Sequence, residues 1–134
     1  MKIHHTAISV KDINRSVDWY ITHFGFVETH RVKRKDKEIV LLNLDRTNLE
    51  IFQTDNNFSA PEYEGNLTKD LQHIGVRHFA ILVEDLEDKL KSLRADDVEI
   101  ISDTTPAFYG GQYCFVKDPD GILVELLCTE KTDR

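Results

Sequence analysis

At 134 residues the chain is long enough to bury a real core, as one domain or as two small modules sharing one. Its 40% hydrophobic and 31% charged residues are ordinary for a soluble globular protein. The net charge of −7 argues against nucleic acid as the main partner, because phosphate binding depends on clustered Lys and Arg. No apolar run approaches the ~20 residues that span a bilayer, and the opening residues lack a signal-peptide pattern. Cys114 and Cys128 fit no metal-finger spacing and are read as free thiols near strands, so a cytoplasmic protein with no membrane partner is expected.

Residues 3–10 predict a strand, and Asp12 or Asn14 can cap the helix that follows. Ile13, Val17, Tyr20, Ile21 and Phe24 recur at helical spacing and form one apolar stripe, which Gly25 ends. The Trp19-Tyr20 pair is assigned to packing and an interface rather than to a ligand. Strands are expected over 26–32, 38–44 and 48–53, and the basic run 31–37 reads as a solvated hairpin. Residues 55–73 break periodicity at Pro61 and Gly65 and form a connector, with a short helix near 67–71. A connector of this length often serves as a lid or binding loop. A strand over 75–83 then leads to Asp85, a good helix cap, and to the stripe Leu86, Leu90 and Leu93. Strands fit 99–104, 112–117 and 122–128, with Pro106 and Gly110-Gly111 in one loop and Asp118-Pro119-Asp120-Gly121 as a strong turn. The plan is β-α-β-β-β given twice: module 1 over about 1–54, the connector, and module 2 over about 74–130, within a single domain 1–134.

The repeat is visible in the residues themselves. His5-Thr6-Ala7-Ile8-Ser9-Val10 returns 73 residues later as His78-Phe79-Ala80-Ile81-Leu82-Val83, and Glu50 in one late strand is matched by Glu125 in the other, 75 residues on. Taken singly, a strand histidine is more often a hydrogen-bonded core or interface residue, and a strand glutamate more often faces solvent. Glu125 is harder to dismiss, since Leu123, Val124, Leu126 and Leu127 imply burial, and a buried carboxylate needs a partner or a cation. If the modules are related by a pseudo-twofold axis, His5, Glu50, His78 and Glu125 can converge on one point. Imidazole nitrogens with carboxylate oxygens suit a divalent first-row ion. His4 is expected on the opposite strand face from His5, while His23, His30 and His73 sit near element ends or turns.

At these residues, and at the closing Asp118-Pro119-Asp120-Gly121 with Glu125-Leu126, the chain resembles the vicinal oxygen chelate superfamily over essentially its whole length. That is the glyoxalase, bleomycin-resistance and extradiol dioxygenase group. The resemblance implies an α+β fold in which two tandem βαβββ modules form an open, cupped mixed sheet around a metal, usually in a homodimer. Extradiol dioxygenases and fosfomycin-resistance enzymes use two His and one Glu, and methylmalonyl-CoA epimerases typically have Gln where Glu50 stands. Two His and two Glu form the glyoxalase I set, so the resemblance implies that His5, Glu50, His78 and Glu125 hold the ion. Zinc, nickel, cobalt, manganese and iron all remain open as its identity.

The implied activity is that of a lactoylglutathione lyase-like enzyme. It acts on the hemithioacetal of a 2-oxoaldehyde and a thiol through a metal-stabilised enediolate, with Glu125 as leading base and Glu50 as its alternative or partner. Alternatives are another metalloenzyme of the superfamily, such as an epimerase or extradiol dioxygenase, or a small-molecule binding or resistance protein. Two departures weaken the case for glutathione. Ser9 stands where an Arg is common in glutathione-using members, and Thr54 where an Asn is common. Another thiol, or another substrate with adjacent oxygens, fits as well. Arg77 is assigned to a surface salt bridge, with a substrate contact as the minority reading.

Overall fold

Alternation and capping shape two separate units, Met1–Ala60 and Pro61–Arg134. The computed structural model describes residues 1–59, 63 and 65–130, so Pro61 and the rest of 60–62 and 64 in the connector, with 131–134, lie outside the described residues.

In the first unit β1 (His5–Ser9) runs into α1 (Ile13–Phe24), and β2 (Val27–Lys33), β3 (Lys37–Leu44) and β4 (Thr47–Thr54) follow. Asp12, rather than Asn14, caps the helix: its carboxylate accepts the Arg15 backbone N–H at 3.1 Å. Gly25 ends it at φ 74°, in the left-handed region that a side chain resists. The sheet order is β1-β4-β3-β2, with β1 parallel to β4 and the other pairs antiparallel. Period-two alternation then sorts the side chains. Val40 and Leu42 of β3 and Leu49 and Ile51 of β4 are buried, and α1 packs on these strands through Ile13, Val17 and Tyr20. Each such side chain contributes roughly 1.5–3 kcal/mol by leaving water. The opposite face carries His5, Ala7, Leu41 and Glu50.

The second unit begins with the short helix α2 (Leu67–Asp70), at the place expected. It continues with β5 (Phe79–Leu82), α3 (Leu86–Ala95), β6 (Thr105–Pro106), β7 (Gln112–Lys117) and β8 (Leu123–Cys128). Asp85 caps α3 by accepting the Asp88 N–H at 2.9 Å. The order β5-β8-β7-β6, with β5 parallel to β8, repeats the first sheet. The expected α+β plan of two tandem βαβββ modules is therefore the observed one.

The first strand is trimmed to His5–Ser9 from the expected 3–10, and two other stretches expected as strands largely are not. Residues 99–104 make one bridge, Ile100 to Val116, instead of a strand, because the Ser102 hydroxyl accepts the Phe115 N–H at 2.8 Å in place of a ladder carbonyl. Over 75–78 the chain is not yet a strand: Gly75 sits at φ 128°, and Ile74 and Val76 are exposed.

Candidate metal centre

Register places the first pair. Glu50 lies opposite Ala7 across the parallel β1–β4 ladder, and His5 is two residues before Ala7, hence on the same face. The small Ala side chain leaves room between them, and His5 Nε2 lies 3.2 Å from Glu50 Oε2. The second unit repeats the construction. Glu125 lies opposite Ala80, and His78, one residue before β5 begins, brings its Nε2 to 3.1 Å from Glu125 Oε2. The second pair is better shielded, with side chains 27% and 11% exposed against 41% and 26% in the first. The expected burial of Glu125 is thus found, between buried Val124 and Leu126.

The donor set suits a divalent ion. In each unit an imidazole nitrogen and a carboxylate oxygen stand within ion-pair distance of one another. Two ligand atoms about 2.1 Å from one ion and about 90° apart would stand about 3 Å from each other, close to the observed separations. The spacing within each pair is therefore compatible with two ligands of one cation. Each unit brings one histidine and one glutamate together, and the described residues contain no group of three or more His, Cys, Asp or Glu side chains gathered for a metal.

The flanking residues differ between the pairs. His4 is not on the far face of a strand: it precedes β1, is exposed, and places its Nδ1 3.0 Å from His5 Nδ1. Strand alternation does not apply outside the strand, which is why it misleads there. The matching residue of the second unit is Arg77, which donates through Nη2 and Nε to the two carboxylate oxygens of Asp70 at 2.6 and 3.2 Å. The guanidinium holds the Asp70 carboxyl below the ordinary carboxylate range. The salt-bridge reading of Arg77 is the one found, and it ties α2 to the residue beside His78. Further on, the Phe115 ring meets the His78 ring edge-on, with centroids 4.9 Å apart and planes at 87°.

Strand ends are latched as well. Gln53 accepts the Ile13 N–H at 2.7 Å, fastening the start of α1 to β4, and at the matching place in β8 Cys128 donates through Sγ to the Glu84 carbonyl at 3.3 Å. Thr54, expected near the substrate, has its hydroxyl within 3.1 Å of the Asn56 carbonyl and 3.0 Å of Asn57 Oδ1. Ser9 closes β1 on the exposed side. Both cysteines are free. Burial pushes the Cys114 thiol up to about 11; Arg94 pulls the other way, and the Glu125 charge adds to the rise. Arg31, within the basic run, is held by Glu28, Glu38 and Asn14, so its charge is spent inside the unit.

Two βαβββ units in tandem, each bringing an imidazole and a carboxylate together, point to the vicinal oxygen chelate class. The model of the Glyoxalase/Bleomycin resistance protein/Dioxygenase superfamily matches residues 2–126, and the chain belongs to that family. Among its relatives is the mitochondrial methylmalonyl-CoA epimerase of Dictyostelium discoideum, 30% identical over 93% of this chain and 76% of the relative. Another is a protein of Vibrio parahaemolyticus named "probable lactoylglutathione lyase", 25% identical over 94% of this chain and 89% of that one. A glyoxalase family protein from Enterococcus faecalis superposes with a TM-score of 0.78 at 29% identity, covering 94% of this chain and 96% of its own. The trypanothione-dependent glyoxalase I of Leishmania major superposes with a TM-score of 0.73 at 27% identity, covering 96% and 86%.

Proposed function

We propose that the protein is a metal-dependent, glyoxalase I-like lyase acting on the hemithioacetal of a 2-oxoaldehyde and a thiol. His5, Glu50, His78 and Glu125 are the proposed ligands of one divalent ion. The observation that carries this reading is the twice-built pair: each His Nε2 stands 3.1–3.2 Å from a Glu oxygen held opposite an Ala in a parallel ladder. When bound, the ion would act as a Lewis acid toward two adjacent substrate oxygens. Glu125 is the proposed base, taking the proton from the carbon beside the carbonyl and returning it to the neighbouring carbon. Its burial supports this role, because a carboxylate screened from water meets little competition from solvent. Glu50, more open to solvent, is the partner carboxylate.

The thiol is assigned away from glutathione. Ser9 carries no charge to meet a glutathione carboxylate, Thr54 is engaged by Asn56 and Asn57, and one structural neighbour is trypanothione-dependent. The epimerase reading keeps second place on the strength of the Dictyostelium relative, and it shares the same first step, removal of a proton next to a carbonyl. We further place the two units in one domain of a cytoplasmic homodimer. The two free thiols support the compartment; exposed Ile74, Val76 and Leu82 supply apolar surface for a partner. No helix among the described residues is long and apolar enough to cross a membrane.

The test is elemental analysis followed by melting with and without added zinc, nickel, cobalt, manganese or iron. An ion at 100 times its Kd should stabilise the fold by about 2.7 kcal/mol. A protein with no bound ion and no rise in melting temperature would sink the metal-enzyme reading. Methylglyoxal with a panel of thiols, methylmalonyl-CoA, and a catechol with oxygen then separate lyase, epimerase and dioxygenase.

A further inference from the structure

We propose that Phe115 is a positioning residue for the His78–Glu125 pair, holding the imidazole plane so that Nε2 stays turned toward the carboxylate. The proposal rests on the reading of these residues as metal ligands. The backbone argument comes first. The Phe115 N–H donates to the Ser102 hydroxyl at 2.8 Å, and the Phe115 carbonyl accepts the Ile101 N–H at 3.0 Å. Both of its backbone groups therefore point away from β8. Phe115 and Glu125, which are register partners, must then face each other across a non-hydrogen-bonded site. That is the position in an antiparallel ladder where Cα atoms are about 4.5 Å apart and side chains lie closest.

The side chains complete the arrangement. The Phe115 ring stands beside Glu125 and meets the His78 ring edge-on at 4.9 Å, while Tyr113 meets the Phe115 ring edge-on at 5.9 Å. Phe115 is buried, so it is a fixed wall rather than a loose contact. Histidine rotates broadly about its ring bond, because that torsion joins sp³ and sp² atoms. A wall on one side and a carboxylate on the other remove most of that freedom. Among the described residues the first unit is built differently: the partner of Glu50 is Leu41, and the ring packed on His5 is the exposed His4. The two pairs are thus unequally prepared, and Phe115 makes the second one ready before any ion arrives.

Phe115→Leu converts the second pair to the chemistry of the first, and the full chain is the material for the test. Two readouts are taken: the order of the His78 ring C–H bonds by NMR relaxation without metal, and Co2+ affinity with its visible spectrum. The variant is expected to show a His78 ring as mobile as that of His5, a Co2+ Kd raised about tenfold, and a changed cobalt band. Phe115→Tyr, which keeps the ring, should restore all three. Wild-type ring order and wild-type affinity in Phe115→Leu would overturn the proposal. If that variant does not fold, Phe115→Met keeps the volume without the ring and is read the same way. A wild-type protein that binds no Co2+ removes the metal reading instead, and the His78 ring order still decides the role of Phe115.

Discussion

Replacing Glu125 by Gln separates what this carboxylate does for the fold from what it does for chemistry. The amide has nearly the same shape and keeps an oxygen that can accept the His78 Nε2–H, now 3.1 Å from Oε2. What is lost is the charge. Hydrogen bonds to charged groups contribute about 1.5–3 kcal/mol and neutral ones about 0.5–1.5, so the expected loss of stability is roughly 1 kcal/mol. A general base typically supplies about 10²–10⁴ in rate, equivalent to roughly 3–5 kcal/mol of barrier. The same substitution should therefore leave a folded protein with at most about one hundredth of wild-type turnover. Urea unfolding followed by circular dichroism measures the first quantity, and turnover with the best aldehyde–thiol pair measures the second. Glu125→Ala is the companion: it removes the carboxylate beside His78 and leaves a gap next to the Phe115 ring, so its stability loss should exceed that of Gln by about 1–3 kcal/mol. Full turnover in Glu125→Gln would remove Glu125 as base. A stability loss as large as that of Glu125→Ala would show the charge itself to be needed for folding.

Gly111 sits at φ 83° just before β7, and a Cβ there would run into the Cys128 carbonyl and the Thr129 backbone. Gly111→Ala should therefore part the Gln112–Cys128 end of the β7–β8 ladder and lower stability by about 2 kcal/mol or more; an unchanged urea midpoint would contradict this. With its thiol pushed up to about 11, Cys114 carries only about one thiolate in a thousand at pH 8. Iodoacetamide should label Cys128 in the native protein and reach Cys114 only in urea, as peptide mass spectrometry will show.

The parts of this protein that are legible in sequence are those decided locally. Asp12, Asp85 and Gly25 cap their helices through bonds to neighbours a few residues away, and the sequence around each contains the whole interaction. The His–Glu pairs are legible for a different reason: the repeat displays the same solution twice, and register does the rest. What stays hidden depends on partners far along the chain. Nothing near Ser102 shows that its hydroxyl will take the Phe115 N–H and cut a strand short. Phe115 reads as one more core residue of β7 until its place opposite Glu125 and against His78 is known. His4 misleads because alternation is assumed one residue before the strand begins.

The Ala7–Glu50 and Ala80–Glu125 registers carry a consequence for how such a chain can change. Successive strand residues face opposite ways, so deleting one residue inside β4 or β8 would aim the carboxylate at the helix-covered face and bring an aliphatic chain up beside the imidazole. Deleting two would keep the facing and only shift the height. An odd length change within these strands therefore has to be absorbed by a bulge, as the β2–β3 register shift between Glu28 and His30 illustrates, whereas the two-residue turn at Asp45-Arg46 carries no such parity rule. Natural or engineered variants of the chain should obey this arithmetic wherever the His–Glu pairs are retained.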